Sequence, residues 1–288
     1  MPSKSSTPTC LIIALASVVL AACQQQSADS SAAASASASA VAAPVIAAPA
    51  PMASVSLPGD HAVTRHFRIA ITLPTLPAGE KALTAALRTT ADNAKRGFMQ
   101  ALPDPRQSPE FANRRFELLL KFRIVANTPA FTSVRETGMQ GTGGAHPIPV
   151  EATFVYDRKA GKLITLDDLF ADSDAARKTL ANFARDSLLK KFKAHAPKPG
   201  TATSPDAIRE WKTNMVQMLD NGTQPTSVNY SVFVVRAGST QAQPSPGITL
   251  IFPPYQVAPY VYGTQTVDVP TGEFSKFLKP QYRGTFTN

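Results

Sequence analysis

Alternation of apolar and polar residues is the strongest pattern along the chain, and it predicts β-strands. The clearest case is residues 115–124, where Phe116, Leu118 and Leu120 occupy alternate positions and charged side chains fill four of the five positions on the other face. The same period of two predicts strands at residues 67–73, 129–139 and 148–156, and further strands at 230–234, 248–252 and up to Val269.

Helical spacing of apolar residues separates these strands. It predicts a helix over residues 79–100, whose stripe is Leu83, Leu87, Ala91, Ala94 and Phe98. Further helices are predicted from Ser173, from Ser204-Pro205 and, at the end of the chain, from Thr271. Strands and helices that are segregated in this way predict an α+β fold with a largely antiparallel sheet and helices packed on it.

The N-terminus has the order of an export signal. Lys4 precedes an apolar run over residues 11–20, which ends in Leu20-Ala21-Ala22-Cys23. As a helix, the twelve residues 11–22 would rise only ~18 Å, against a hydrocarbon core of ~30 Å. We therefore expect residues 1–22 to be a signal peptide and not a permanent membrane span.

The last four of these residues resemble the bacterial lipobox. The resemblance implies that Cys23 is acylated and becomes the N-terminus of an exported lipoprotein anchored in a membrane. The alternative is a chance cysteine after an ordinary cleavage site. If the host is Gram-negative, the absence of Asp after Cys23 implies an outer-membrane lipoprotein that faces the periplasm.

The composition divides the rest of the chain. Residues 23–58 (the tether) are nearly all Ala, Ser, Pro, Gln and Val, which cannot form a core. Residues 59–288 are predicted to form a single α+β domain, with a strand-helix segment at 59–113 followed by a core at 114–283.

The chain has 288 residues and a formal charge of +9, and 28 basic and 20 acidic residues remain after the signal peptide, a charge of +8. A basic surface favours anionic envelope components, although solubility alone explains it equally well. No module typical of nucleic-acid binding is present. Cys10 and Cys23 are the only cysteines, so the exported chain is expected to lack disulfides.

Motifs that carry chemistry are mostly missing. The four histidines are scattered without zinc-ligand spacing, and the chain has neither a nucleophile elbow nor a phosphate loop. We therefore predict no cofactor, no metal site and no catalytic residue. Asp167 and Asp168 are interpreted as helix-start residues.

One loop is unusual. Gly141-Thr142-Gly143-Gly144-Ala145-His146 offers free backbone N–H groups to an anion, with His146 beside them, or is simply a glycine-rich bend.

Two blocks of sequence carry a family resemblance. The first contains Gly143-Gly144-Ala145-His146 and Thr165-Leu166-Asp167-Asp168-Leu169-Phe170, and the second contains Tyr255-Gln256-Val257-Ala258-Pro259-Tyr260-Val261-Tyr262-Gly263. Together they resemble the RsiV-type extracytoplasmic domain of lysozyme-sensing anti-sigma factors, which also accompanies some peptidoglycan deacetylases. The resemblance implies an α+β envelope domain whose best-understood relative binds lysozyme in a cleft.

These observations lead to a lipid-anchored, non-catalytic module that binds an envelope component such as peptidoglycan. The predicted binding residues are Gly143, Gly144, His146, Tyr255, Tyr260 and Tyr262. Tyr260 and Tyr262 are expected to share one face of a strand as an aromatic platform, or to be core residues.

Two alternatives remain open. The first is an enzyme acting on peptidoglycan, in which His146 works with Asp157 or Glu151. The second is a lysozyme-binding lipoprotein, although a charge of +8 would slow the approach of basic lysozyme.

Overall fold

The computed structural model of the protein describes residues 54–104, 114–143, 146–197 and 204–287. The predicted signal peptide, Cys23, most of the tether and Gly144 lie outside the described residues. Among the described residues, no helix has the length and apolarity needed to cross a membrane.

The described residues form eleven strands and three α-helices. The strands are β1 (Ser54–Ser56), β2 (Asp60–Val63), β3 (Phe67–Thr72), β4 (Thr75–Pro77), β5 (Phe116–Asn127), β6 (Phe131–Gly141), β7 (Ile148–Asp157), β8 (Lys162–Ile164), β9 (Phe233–Val235), β10 (Gly247–Phe252) and β11 (Gln265–Pro270). The helices are α1 (Lys81–Ala101), α2 (Ser173–Ala194) and α3 (Pro205–Gly222).

The strands form one large sheet and two small ones. The large sheet has the order β2-β3-β5-β6-β7-β8, and a three-stranded sheet has the order β11-β10-β9. All neighbouring strands in both are antiparallel except β3 and β5, which α1 connects as a parallel pair. β1 pairs with β4. The predicted fold class, α+β with a largely antiparallel sheet, is confirmed.

Helix α1 covers one face of the large sheet. Its buried residues are Leu83, Leu87, Ala91 and Phe98, the stripe that the sequence predicts apart from Ala94, which is partly buried. They pack on alternate residues of β5, among them Leu118, Leu120 and Phe122. Burying each large apolar side chain contributes roughly 1.5–3 kcal/mol, so the alternation of β5 anchors this first core.

The opposite face of the large sheet packs on a second layer. This layer contains β9–β11 and helices α2 and α3, and its core includes Leu180, Leu188 and Phe252. Two backbone N–H groups of β9 donate to hydroxyls of the large sheet: Phe233 N–H to Thr153 (3.1 Å) and Val235 N–H to Ser133 (3.1 Å). These bonds satisfy donors of an edge strand that would otherwise be buried without partners.

The structure differs from the sequence prediction at the start of the fold and in the predicted last helix. The fold begins by Ser54, inside the predicted tether, because β1 pairs with β4 and Leu57 is buried. The predicted helix from Thr271 is wrong: residues 271–277 form two single 3₁₀ turns. Nine residues separate Pro270 from Pro280, and a helix of that length has little stability of its own. The segment is held by backbone contacts such as Lys279 N–H to Leu169 O (2.9 Å).

The predicted start of α3 is confirmed, whereas Asp167 and Asp168 lie in a single 3₁₀ turn (Asp167–Leu169) and not at the start of an α-helix. Ser204 accepts a hydrogen bond from Ala207 N–H (3.1 Å) and Pro205 follows it in the first turn of α3. Asp168 closes a short turn by accepting both the N–H and the hydroxyl of Thr165, each at 2.8 Å. Asp167 forms an ion pair with Arg177. Both carboxylates therefore have structural roles.

Candidate functional site

The glycine-rich loop between β6 and β7 lies at one end of the large sheet. Gly143 has a φ of 105°, which disfavours any residue with a Cβ, and its carbonyl accepts a hydrogen bond from Arg114 (3.3 Å). His146 follows on the far side of the loop and is exposed. The predicted use of this loop's N–H groups for an anion stays a prediction.

The segment that follows β10 brings two tyrosines to His146. The Tyr255 hydroxyl lies 3.1 Å from Nε2 of His146, and the Tyr260 ring stacks on the imidazole with centroids 4.4 Å apart and an angle of 19° between the planes. The Tyr255 and Tyr260 rings are 5.5 Å apart. We call His146, Tyr255 and Tyr260 the aromatic cluster; its members are up to 114 positions apart in sequence.

Tyr255 is held in an uncommon conformation. Its φ is 71°, the only positive value among the described non-glycine residues, and 54% of its surface is exposed. Such a backbone conformation costs on the order of 1 kcal/mol and persists only where surrounding contacts impose it. In this conformation an aromatic side chain is exposed to solvent. Exposed aromatic side chains held in strained conformations are a feature of binding surfaces.

Tyr262 does not share this surface, so the predicted platform of Tyr260 and Tyr262 is wrong. Tyr260–Tyr262 forms a 3₁₀ turn and not a strand, and in a turn with three residues per cycle alternate residues point in different directions. Tyr262 packs on Phe192 of α2 (centroids 5.7 Å apart) and accepts a hydrogen bond from Trp211 Nε1 (3.1 Å). Tyr262 is therefore partly buried and packs against the core, which is closer to the alternative that the sequence left open.

A cleft of about 300 Å³ adjoins the aromatic cluster. Its walls include His146, Gly143, Arg114, Arg115 and Glu117. Two guanidinium groups against one carboxylate make the cleft basic. Guanidinium groups bind carboxylates and phosphates through paired hydrogen bonds, so the cleft suits an anionic group of a ligand that contacts the cluster.

Neither carboxylate of the enzyme hypothesis hydrogen-bonds to His146. Glu151 accepts two hydrogen bonds from Arg135 (2.6 and 2.9 Å) and one from the Thr264 hydroxyl (3.2 Å). The hydrogen bonds that Arg135 donates to Glu151 raise the pKa of Arg135, against the effect of burial. Asp157, at the far end of β7, accepts from Ala160 N–H and from the Tyr282 hydroxyl, both at 2.8 Å.

One buried acid escaped the sequence prediction. Glu136 of β6 is 2% exposed, and burial, followed by repulsion from Glu151, raises its pKa to about 7. Its register partners are Phe122 and Ala152, so its side chain lies on the face that α1 covers, opposite Arg135 and Glu151. The sequence signal that could have indicated this buried acid is a glutamate at a core-facing position of an alternating strand.

Metal-ligating residues do not converge in the part of the chain that the structure describes: no group of three or more His, Cys, Asp or Glu residues could hold an ion there.

Comparison with known proteins identifies a domain of uncharacterised role. Residues 167–272, which include Tyr255 and Tyr260 but not His146, match the family described as "Protein of unknown function (DUF3298)". A DUF3298 domain is therefore present. The chain is also 26% identical over 216 residues, 75% of its length, to the peptidoglycan-N-acetylmuramic acid deacetylase PdaC of Bacillus subtilis (strain 168). It spans about 40% of the length of that relative.

Solved structures support the fold. A DUF3298 family protein from Pseudomonas aeruginosa PAO1 aligns with a TM-score of 0.51 and 16% identity, covering 83% of this chain and 98% of that one. A DUF3298 family member from Bacteroides fragilis NCTC 9343 aligns with a TM-score of 0.51 and 15% identity, covering 80% and 95%. At these identities the likeness concerns the fold alone.

Proposed function

We propose that the protein is a lipid-anchored, non-catalytic module that binds peptidoglycan in the bacterial cell envelope through the aromatic cluster. The observation that carries this proposal is the stacking of His146 on Tyr260 beside the exposed Tyr255. Sugar rings present flat faces of C–H groups that pack on aromatic rings, while their hydroxyls hydrogen-bond to polar ring edges. The cluster offers both kinds of contact.

The basic cleft extends this surface. Peptidoglycan carries carboxylates on its peptides, and the cleft places arginine side chains next to His146. A glycan strand on the cluster would thus bring its peptide within reach of a cationic wall. The similarity to a peptidoglycan deacetylase supports the same class of ligand and an envelope location.

The surroundings of His146 support binding without catalysis. Its hydrogen-bond partners are the Tyr255 hydroxyl (3.1 Å) and the Pro147 carbonyl (3.1 Å). A histidine that acts as a general base takes a proton from the reacting group, and a carboxylate commonly orients its ring. Asp157 and Glu151 are instead engaged with Tyr282 and Arg135.

The aromatic cluster is tested by sedimentation of the purified full-length protein with peptidoglycan sacculi. Tyr260→Ala is expected to weaken retention about 5- to 10-fold, because it removes one face of the stack. Val261→Ala is the matched control, since Val261 lies in the same turn and is 83% exposed; it should bind as the wild type does. Equal retention of both variants, or release of acetate from the sacculi, would contradict the proposal.

The anchor is the second part of the proposal. The lipobox resemblance at Leu20-Ala21-Ala22-Cys23 supports acylation of Cys23, and two or three acyl chains give stable anchoring where one gives only marginal binding. The long Ala/Ser/Pro-rich stretch after Cys23 would then let the domain reach away from its membrane. The outer membrane, facing the periplasm, is the proposed location in a Gram-negative host.

Metabolic labelling with palmitate tests the anchor. The wild-type protein should be labelled and recovered with membranes, whereas Cys23→Ser should be unlabelled. Cys10→Ser is the control, because Cys10 lies in the segment that is removed. Equal labelling of wild type and Cys23→Ser would refute lipidation at this residue.

Lysozyme is the competing ligand for the same surface, as the resemblance to the RsiV-type domain implies. The basic net charge of both proteins opposes their association at low salt. Retention by immobilised lysozyme in preference to sacculi, lost in Tyr260→Ala, would replace peptidoglycan with lysozyme as the partner.

A further inference from the structure

A larger cavity lies at the opposite end of β7 from the aromatic cluster. Nine strand rises of ~3.4 Å separate Ile148 from Asp157, so the two places are about 30 Å apart. The cavity has a volume of about 680 Å³, within the usual range of ~300–1,000 Å³ for small-molecule sites. It is formed where the turn between β7 and β8, the turn before β6 and the C-terminal residues Pro280–Thr285 meet.

The two acids in its wall are already engaged within the fold. Asp157 accepts hydrogen bonds from Ala160 N–H and the Tyr282 hydroxyl, both at 2.8 Å. Asp168 accepts the N–H and hydroxyl of Thr165. These donors are neutral, so both carboxylates keep their negative charge. The pKa of Asp168 is lowered, although burial raises it, because Thr165 donates to the carboxylate and Lys162 and Lys279 lie nearby.

Three lysines line the cavity: Lys159, Lys162 and Lys279. Lys279 donates one hydrogen bond to the Asp168 carbonyl (2.9 Å). Within the described part of the chain, the side chains of Lys159 and Lys162 form no hydrogen bond and no ion pair within 4.0 Å, although Lys162 interacts electrostatically with the Asp168 carboxylate. Three cations against two engaged anions leave the cavity with one positive charge in excess.

Much of the remaining wall is apolar, although Gln281 and Thr285 also line it. Pro129, Ala130, Ala242 and Pro244 face the cavity beside the ring of Tyr282. An apolar wall with a few charged groups favours a ligand that has an apolar body and a single charged end.

We propose that this cavity (the lysine pocket) binds a small monocarboxylate with an apolar body, its carboxylate held by Lys159, Lys162 and Lys279. A single negative charge balances the excess of the pocket, and the apolar wall accepts the body of the ligand. A fatty acid and the C-terminal end of a short apolar peptide share this chemistry. The lysine pocket is separate from the aromatic cluster and does not depend on peptidoglycan binding.

The test is a titration of the full-length protein followed by the amide NMR shifts of Ala160 and Gly284, which line the pocket. Hexanoate and N-acetyl-Ala-Ala represent the two sources of carboxylate, and each is paired with its neutral amide. We expect at least one carboxylate to shift these signals saturably while its amide does not. The carboxylate that does so identifies the source.

The lysines are tested by the double variant Lys159→Gln/Lys162→Gln. Both side chains are exposed, so the fold is expected to be unaffected. Loss of the two charges should weaken carboxylate binding about 3- to 10-fold. Lys121→Gln, an exposed lysine on β5 outside the pocket, is the matched charge control.

Three results would overturn the proposal: equal binding of acid and amide, shifts with inorganic phosphate alone, or no saturable shift with any probe. Retention on sacculi distinguishes a failure of this proposal from a failure of the proposed function. The lysine variant should sediment with sacculi as the wild type does, whereas Tyr260→Ala should bind hexanoate or N-acetyl-Ala-Ala normally.

Discussion

The two ends of the β6–β7 hairpin use similar residues in opposite ways. Where β6 begins and β7 ends, Arg158, Glu80 and Tyr282 form hydrogen bonds that are shielded from solvent. Where β6 ends and β7 begins, His146, Tyr255 and Tyr260 contact one another but stay accessible. The difference teaches that Arg158, Glu80 and Tyr282 stabilise the fold at the first end, beside the lysine pocket, while the aromatic cluster at the second end is itself accessible to a ligand.

The buried end joins segments that are distant in the chain. Arg158 donates to the Glu80 carboxylate (2.9 Å), to the Thr128 carbonyl (2.6 Å) and to Asn127. Thr132 donates to the same Glu80 oxygen (2.6 Å). Glu80 precedes α1, so these bonds fix the start of that helix to the large sheet. Their disruption should affect the whole domain.

The largest effect is expected for Arg158→Ala. It leaves the Glu80 carboxylate, 6% exposed, without its cation, and we expect a loss of about 3 kcal/mol in the free energy of unfolding. Denaturant unfolding measures it. Arg209→Ala is the control, because the Arg209–Asp206 pair is 73% and 80% exposed and should change stability by less than about 0.5 kcal/mol. A loss under about 1 kcal/mol for Arg158→Ala would show that the buried end does not hold the fold.

A smaller effect distinguishes two tyrosine hydroxyls. Tyr282→Phe deprives buried Asp157 of a donor and should cost about 2 kcal/mol. Tyr255→Phe removes the hydrogen bond between the Tyr255 hydroxyl and His146 (3.1 Å) at the exposed end. This change should lower the free energy of unfolding by less than about 0.5 kcal/mol. Thermal unfolding of the two variants side by side measures the contrast. Equal losses would remove the distinction between the ends.

The sequence predicts the elements that depend on local patterns. Alternation locates β3, β5, β6 and β7, helical spacing locates α1, and Ser204-Pro205 marks the start of α3. The sequence does not predict the elements whose conformation is determined by tertiary contacts. The two turns after Thr271 are held by residues more than 100 positions away, and β1 forms from Ser and Val residues only because β4 offers a partner.

The candidate site was predicted in part. His146, Tyr255 and Tyr260 are brought together, whereas Tyr262 turns inward because Pro259 and Gly263, with a φ of 62°, enclose a 3₁₀ turn. No local pattern indicates that Tyr260 stacks on a residue 114 positions away. The lysine pocket was also beyond sequence reasoning, because its lysines come from the β7–β8 turn and the C-terminus.

The most direct measurement is an NMR titration of the full-length protein with a soluble muropeptide. If the exposed end binds peptidoglycan, resonances of His146, Tyr255 and Tyr260 shift saturably, while those of Arg158 and Glu80 do not move. Saturable shifts confined to the buried end, or an absence of shifts at the aromatic cluster while the intact sacculus still retains the protein, would contradict the account.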